Sequence, residues 1–122
     1  MKVLLGVGGS EDSFRALETV IDRAKETGDD LTIAILENPD SPRSPEHVRA
    51  RVEGALEDAA FSADVRLLEG HPGSQLLELA ESEGFDQIAL GGGQTSPLGK
   101  VQLGSIAEFV LLNAQTTVKL IR

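Results

Sequence analysis

Short apolar runs alternate along this chain with longer stretches whose apolar residues recur every third or fourth position. Lys2–Val7 is an unbroken apolar run too short for a helix, which predicts a strand buried on both faces. Ser10 then precedes a segment in which Phe14, Leu17, Val20, Ile21 and Ala24 follow helical spacing; Ser10 is its predicted cap and Gly28 its stop. Leu31–Leu36 predicts a second strand, and the proline-bearing stretch Glu37–Pro45 a loop. A second helix is expected from Pro45 or Glu46 to about Ala60, burying Val48, Val52, Ala55, Leu56 and Ala59. Ala63–Leu68 follows as strand three. After the turn Gly70-His71-Pro72-Gly73, Ser74 is the expected cap of a helix carrying Leu76, Leu77, Leu79 and Ala80 and ending near Gly84. Gln87–Leu90 predicts the fourth strand. From about Gly104 to Asn113 a fourth helix, with Ser105 as a natural cap, presents Ile106, Phe109, Val110 and Leu111, and Thr117–Ile121 closes the chain as strand five.

Strand–helix alternation of this kind makes a parallel sheet in one α/β domain, each helix returning the chain over one face by a right-handed crossover. Ligands on such sheets sit beyond the carboxyl ends of the strands, where the winding direction switches. The turns Gly8-Gly9-Ser10 and Gly91–Gln94 both lie at that end, and face each other if strand four neighbours strand one.

The second of these turns opens the stretch GGGQTSPLGKVQLGS, residues 91–105, where chemistry is concentrated. Gly91, Gly92 and Gly93 let the main chain approach a ligand closely, and Gly104-Ser105 begins a helix whose first N–H groups lack intrahelical partners at the positive end of its dipole. Two donor-rich segments could converge on one phosphate, with Ser96 and Lys100 as further donors. The plainer reading is that glycine after a strand only makes a tight turn and Ser105 only caps a helix; spacing alone favours it. Two better-known phosphate motifs fail by counting. A P-loop would need glycine at Gln94 and Ser or Thr at Val101, and the turn Gly6-Val7-Gly8-Gly9-Ser10-Glu11 has Glu11 where a dinucleotide fingerprint has its third glycine.

Composition removes several function classes. The absence of cysteine excludes disulfides and thiolate chemistry, and the two histidines, His47 and His71, stand far apart in polar or turn contexts, so no metal site is expected. Twenty acids against eleven bases, a formal charge of −9, offer no basic face to a nucleic-acid backbone, so macromolecular partners should be proteins. Four Lys against seven Arg in so acidic a chain fits a salt-loving source, where a Debye length of about 3 Å leaves crowded carboxylates little repulsion, or an ordinary acidic protein. No apolar stretch is long enough to span a bilayer and no leader precedes the first strand, which predicts no membrane contact and a cytoplasmic product. No nucleophile is paired with a base, so no catalytic residue is assigned.

At this point the chain resembles the universal stress protein family. VGGSEDSFRAL at residues 7–17 resembles its opening V-D-G-S-x-x-S-x-x-A-L, Gly70-His71-Pro72 its G-x-P turn, and GFDQIALGG at residues 84–92 its D-x-I-x-x-G stretch. Gly91-x-x-Gln94, nine residues, then Gly104-Ser105 resembles the signature G-x2-G-x9-G-[ST]. The resemblance implies an adenine-nucleotide alpha-hydrolase-like fold, a five-stranded parallel sheet of order 3-2-1-4-5 with helices on both faces, in a non-catalytic homodimer acting in stress tolerance. Some members bind ATP or AMP. In those, the aspartate before the first Gly-Ser contacts the nucleoside, the end of strand two offers its backbone to adenine, and the signature holds the phosphates. By position these are Gly8, Leu36, and Gly91, Gln94, Gly104 and Ser105, with Gly9, Ser10, Gly92 and Gly93 in the same turns.

Two positions depart from the binder pattern. Gly8 removes the carboxylate and Gln94 replaces the second signature glycine, each at about 1–3 kcal/mol, so nucleotide binding is expected to be weakened or lost. The leading expectation is a homodimer pairing through Thr117–Ile121, unless Lys119 blocks that edge and the fourth helix serves instead. The alternative is an ATP- or AMP-binding switch that uses the 91–105 loop.

Overall fold

The computed structural model describes residues 1–39, 41–92, 94–95, 101–102 and 104–122. The strands are β1 (Lys2–Val7), β2 (Asp30–Leu36), β3 (Asp64–Leu68), β4 (Gln87–Gly91), the two-residue β5 (Gln94–Thr95) and β6 (Val101–Gln102), and β7 (Thr117–Ile121). The helices are α1 (Glu11–Thr27), α2 (Pro45–Asp58), α3 (Pro72–Ser82) and α4 (Ser105–Asn113). The main sheet has the order β3-β2-β1-β4-β7 and every pairing in it is parallel. This is the expected 3-2-1-4-5 arrangement, with Thr117–Ile121 on an edge. β5 and β6 form a small antiparallel pair of their own, Gln94 opposite Gln102.

The central strand explains the sheet. Val3 through Val7 are all buried, because β1 lies between β2 and β4 and both its faces are covered. Successive side chains on a strand point to opposite faces. Accordingly Leu5, with Ile33 and Ile35, packs against Phe14 and Leu17 of α1 and Val48 and Val52 of α2. Leu4, with Ala34 and Ile88, packs against Leu76 of α3 and Val110 of α4. Among the described residues no helix is long and apolar enough to cross a membrane.

Local details correct the sequence reading in four places. Ser10 does cap α1, accepting from the Ser13 N–H at 3.1 Å, and Gly28 ends that helix in the left-handed conformation with φ 76°. Ser74, however, is inside α3; the cap is His71, whose Nδ1 accepts from the Ser74 N–H at 3.1 Å while its ring meets Phe109 edge-on at 4.7 Å. The imidazole fixes the α3–α4 contact as well as the helix start, so this exposed histidine has a structural task. Ser105 is likewise the first residue of α4 rather than its cap, which is Gly104, without a side-chain capping bond. α2 stops at Asp58, two residues before the expected end, and Leu111 is 41% exposed because the inward face of α4 is Ala107 and Val110.

β3, the opposite edge, is tied down by charge. Arg66 reaches Glu83 through both guanidinium nitrogens and Asp64 at 2.9 Å, holding the Glu83 carboxyl below its ordinary value. Solvent screens an exposed ion pair of this kind, so it adds little to stability.

Candidate functional site

β1 and β4 are neighbours, and the helices that follow them go to opposite faces, α1 to one and α4 to the other. That divergence leaves a crevice beyond the carboxyl ends of the two strands. A cavity of about 250 Å³ occupies it. Of the residues proposed from sequence, Gly8, Ser10, Leu36, Gly91, Gly104 and Ser105 line it, so the two distant bends do come together. Gly93, Ser96 and Lys100 lie outside the described residues. Gln94 is placed only by its backbone, in the β5–β6 pair.

The donors divide unevenly. Gly9 has φ 93°, as its turn requires, but its N–H donates to Ser13 Oγ at 3.2 Å. Gly92 donates to the Ile121 carbonyl at 3.1 Å, continuing the sheet past β4. These two amides are therefore spent on the fold, and of the 91–93 glycines expected to face a phosphate Gly92 gives its N–H to the sheet instead. Ser10 Oγ is engaged as the α1 cap and Ser13 Oγ donates to the Ser10 carbonyl at 2.7 Å, which ties the first crossover into a closed network. The start of α4 also reaches the cavity. Gly104 brings no capping side chain, and Ser105, Ile106 and Ala107 line the cavity at the positive end of the helix dipole.

Gly91 has a role that the sequence did not reveal. A Cβ built on it would stand 2.4 Å from the Asp12 carbonyl oxygen and 2.9 Å from the Ser13 nitrogen, so glycine is needed there for β4 to pass the first turn of α1. The plainer reading of this glycine, packing rather than ligand contact, is the one its surroundings support.

The sequence reading missed one wall. Asn38, Ser41 and Pro42, from the loop after β2, also line the cavity. Ser41 Oγ donates to the Gly9 carbonyl at 3.3 Å and Arg43 Nη1 donates to the same oxygen at 2.7 Å, while Arg43 also pairs with Glu11. The loop is thus strapped over the first crossover. The signal was available in principle: polar residues just after the carboxyl end of a central strand sit at the ligand end of such a sheet. Where a Cβ on Gly8 would extend, the Asn38 side chain already stands, with Nδ2 at 3.2 Å.

No described lining residue is charged, and none is a histidine. The cavity can therefore offer hydroxyls, a carboxamide, main-chain amides and apolar surface from Leu36, Leu90 and Ile106. Such a lining is suited to holding a neutral ring system with an anionic group at the α4 end; it presents no acid–base pair.

Comparison with known proteins agrees with this geometry. The model of the universal stress protein family matches residues 1–122. A curated relative, universal stress protein MJ0531 of Methanocaldococcus jannaschii, is 31% identical over 72 residues, covering 59% of this chain and 42% of the relative's length. Among solved structures, a universal stress protein in complex with cAMP superposes with a TM-score of 0.76 at 24% identity, over 100% of this chain and 96% of that one. The Archaeoglobus fulgidus protein in complex with dAMP gives 0.68 at 17%, over 100% and 98%. An Arabidopsis thaliana family protein with AMP bound gives 0.70 at 14%, over 99% and 90%.

Proposed function

This chain belongs to the universal stress protein family, and from that premise we propose that it is a non-catalytic, nucleotide-responsive stress protein whose cavity takes an adenine mononucleotide with low affinity. The observation that carries this reading is the meeting of the α4 N-terminus with Gly8, Leu36 and Asn38 around one cavity. The phosphate would lie at the positive end of the α4 dipole, beside Ile106 and Ala107, and the base beside the end of β2. Relatives crystallised with cAMP, AMP and dAMP support the ligand class.

Low affinity follows from the inventory. Two of the turn amides are consumed internally, and no described lining group carries charge to oppose a phosphate. At about 250 Å³ the cavity also falls just below the ~300–1,000 Å³ of sites that enclose drug-sized ligands, which favours a monophosphate over a triphosphate. The test is thermal unfolding with increasing AMP or ATP. A ligand at ten times its Kd adds about 1.4 kcal/mol, several degrees for a domain of this size. AMP is expected to raise the midpoint at millimolar concentration and ATP less so; no shift with either removes the reading.

Assembly is a separate proposal. Among the described residues β7 is bonded only to β4 within the sheet, so its outer edge is the one available for a further strand. Leu112, at the end of α4 just before it, is 76% exposed. We propose that two copies pair along Thr117–Ile121, with the exposed leucines of α4 covered in the dimer. Sedimentation at tens of micromolar is expected to give a dimer, and a monomer there removes the interface.

A further inference from the structure

A second cavity, of about 210 Å³, lies at the opposite end of the sheet from the first. Its floor is apolar and almost completely buried: Val3, Leu31, Ala89 and Ile121 from the sheet, Val20 and Ala24 from α1. It exists because α1 crosses β1 and β4, leaving an open angle toward the β7 edge.

The rim carries the chemistry. Arg23 of α1 and Lys119 of β7 both line the cavity. Among the described residues neither has an ion-pair partner, although acids outnumber bases by 20 to 11. The one lining acid, Asp29, is already committed to the Met1 amino group at 3.2 Å, and its bond with Thr27, followed by that amino group, holds its carboxyl below the usual range. Two unpaired cations over a dry apolar floor are complementary to one kind of molecule.

We propose that this cavity is a second binding site, for a small monocarboxylate with an apolar aromatic or short aliphatic body. The body would displace water from the Val20, Ala24, Ala89 and Ile121 surface, and the carboxylate would lie between Arg23 and Lys119. A volume of about 210 Å³ gives room for an acid the size of benzoate or hexanoate. α1 and β4 line both cavities, through Ser10, Ser13 and Gly91 at one end and Val20, Arg23 and Ala89 at the other. Occupancy of either end is thereby placed on shared elements.

The experiment is amide chemical-shift mapping on the whole chain during titration with benzoate, and separately with benzyl alcohol as the neutral isostere. Shifts are expected at Val20, Ala24, Ala89 and Ile121, with saturation at millimolar benzoate and clearly weaker binding of the alcohol. Lys119→Gln and Arg23→Gln, both at exposed positions, should each weaken benzoate about tenfold, the scale of one lost hydrogen bond to a charged group. Absence of shifts, equal binding of the alcohol, indifference to both substitutions, or shifts confined to the Gly8–Gly91 end each overturn the proposal. None of these outcomes bears on nucleotide binding, which is read at the other cavity.

Discussion

Replacing Gly91 with alanine is expected to destabilise the fold by about 3 kcal/mol, the upper part of the range for forcing extra atoms into a packed interior. The added carbon would meet the Asp12 carbonyl oxygen at 2.4 Å, its carbon at 2.6 Å and the Ser13 nitrogen at 2.9 Å. All three are main-chain atoms of a hydrogen-bonded helical turn, so no side chain can swing aside to make room. Relief requires α1 to move away from β4, which disturbs the Ser10–Ser13 capping network and the cavity wall that it forms. Gly54→Ala is the control: a Cβ there, inside α2, meets nothing within 4 Å, and the exchange should stabilise by about 0.5–1 kcal/mol through helix propensity. Denaturant unfolding of both variants decides the matter. A Gly91→Ala protein within 0.5 kcal/mol of wild type would mean that the first turn of α1 yields easily, and that this glycine is present for a ligand after all.

That distinction shows where sequence reasoning reached its limit. The bounds of β1 are legible because a strand buried on both faces needs an apolar run, and those of β7 because Val118 and Leu120 alternate with Thr117 and Lys119 at the period of an edge strand. The strand order came from resemblance, since hydrophobic pattern alone does not say which strands are neighbours. Helix caps were read correctly at Ser10 and incorrectly at Ser74 and Ser105, because a serine near a helix start was taken as the cap. The actual first residue depends on where the preceding chain turns, and at α3 the acceptor is an imidazole. β5 and β6 were invisible for another reason: two-residue strands carry no alternation to detect.

The site was half legible. Residue types that approach a ligand through their backbone can be found by looking for glycine at strand ends, and six of the ten proposed positions do line the cavity. What glycine cannot reveal is whether its amide is free. Gly9 and Gly92 both give their protons to the protein, one to a serine four residues further along the chain and one to the edge strand. Asn38 and Ser41 lie in a proline-bearing loop whose pattern has no periodicity, so no hydrophobic pattern in the sequence marks them as cavity residues. Their role depends on Arg43 and Ser41 anchoring it to the Gly9 carbonyl, a contact spanning more than thirty residues of sequence.

Gly8→Asp is expected to tighten AMP binding by about two- to thirtyfold. Where the family pattern has aspartate this chain has no side chain, and the two atoms nearest to an added Cβ are Asn38 Nδ2 at 3.2 Å and Ile106 Cδ1 at 3.4 Å, with Asn38 Cβ in ordinary contact at 3.5 Å. Both are ends of flexible side chains, so a shift of a few tenths of an ångström admits the new group. A carboxylate accepting from a sugar hydroxyl contributes about 1.5–3 kcal/mol. Its repulsion from a phosphate monoester of about −1.5 to −2 charge, about 8 Å away at the dielectric of water, costs about 1 kcal/mol, so the attraction wins. Titration calorimetry with AMP and dAMP measures both the gain and its origin. AMP should improve more than dAMP, because the deoxy sugar offers one hydroxyl fewer, and Gly8→Asn should gain less than Gly8→Asp with either ligand. If Gly8→Asp melts at the wild-type temperature yet binds AMP no better, the nucleoside does not face the first crossover, and the cavity holds its ligand by the α4 end alone.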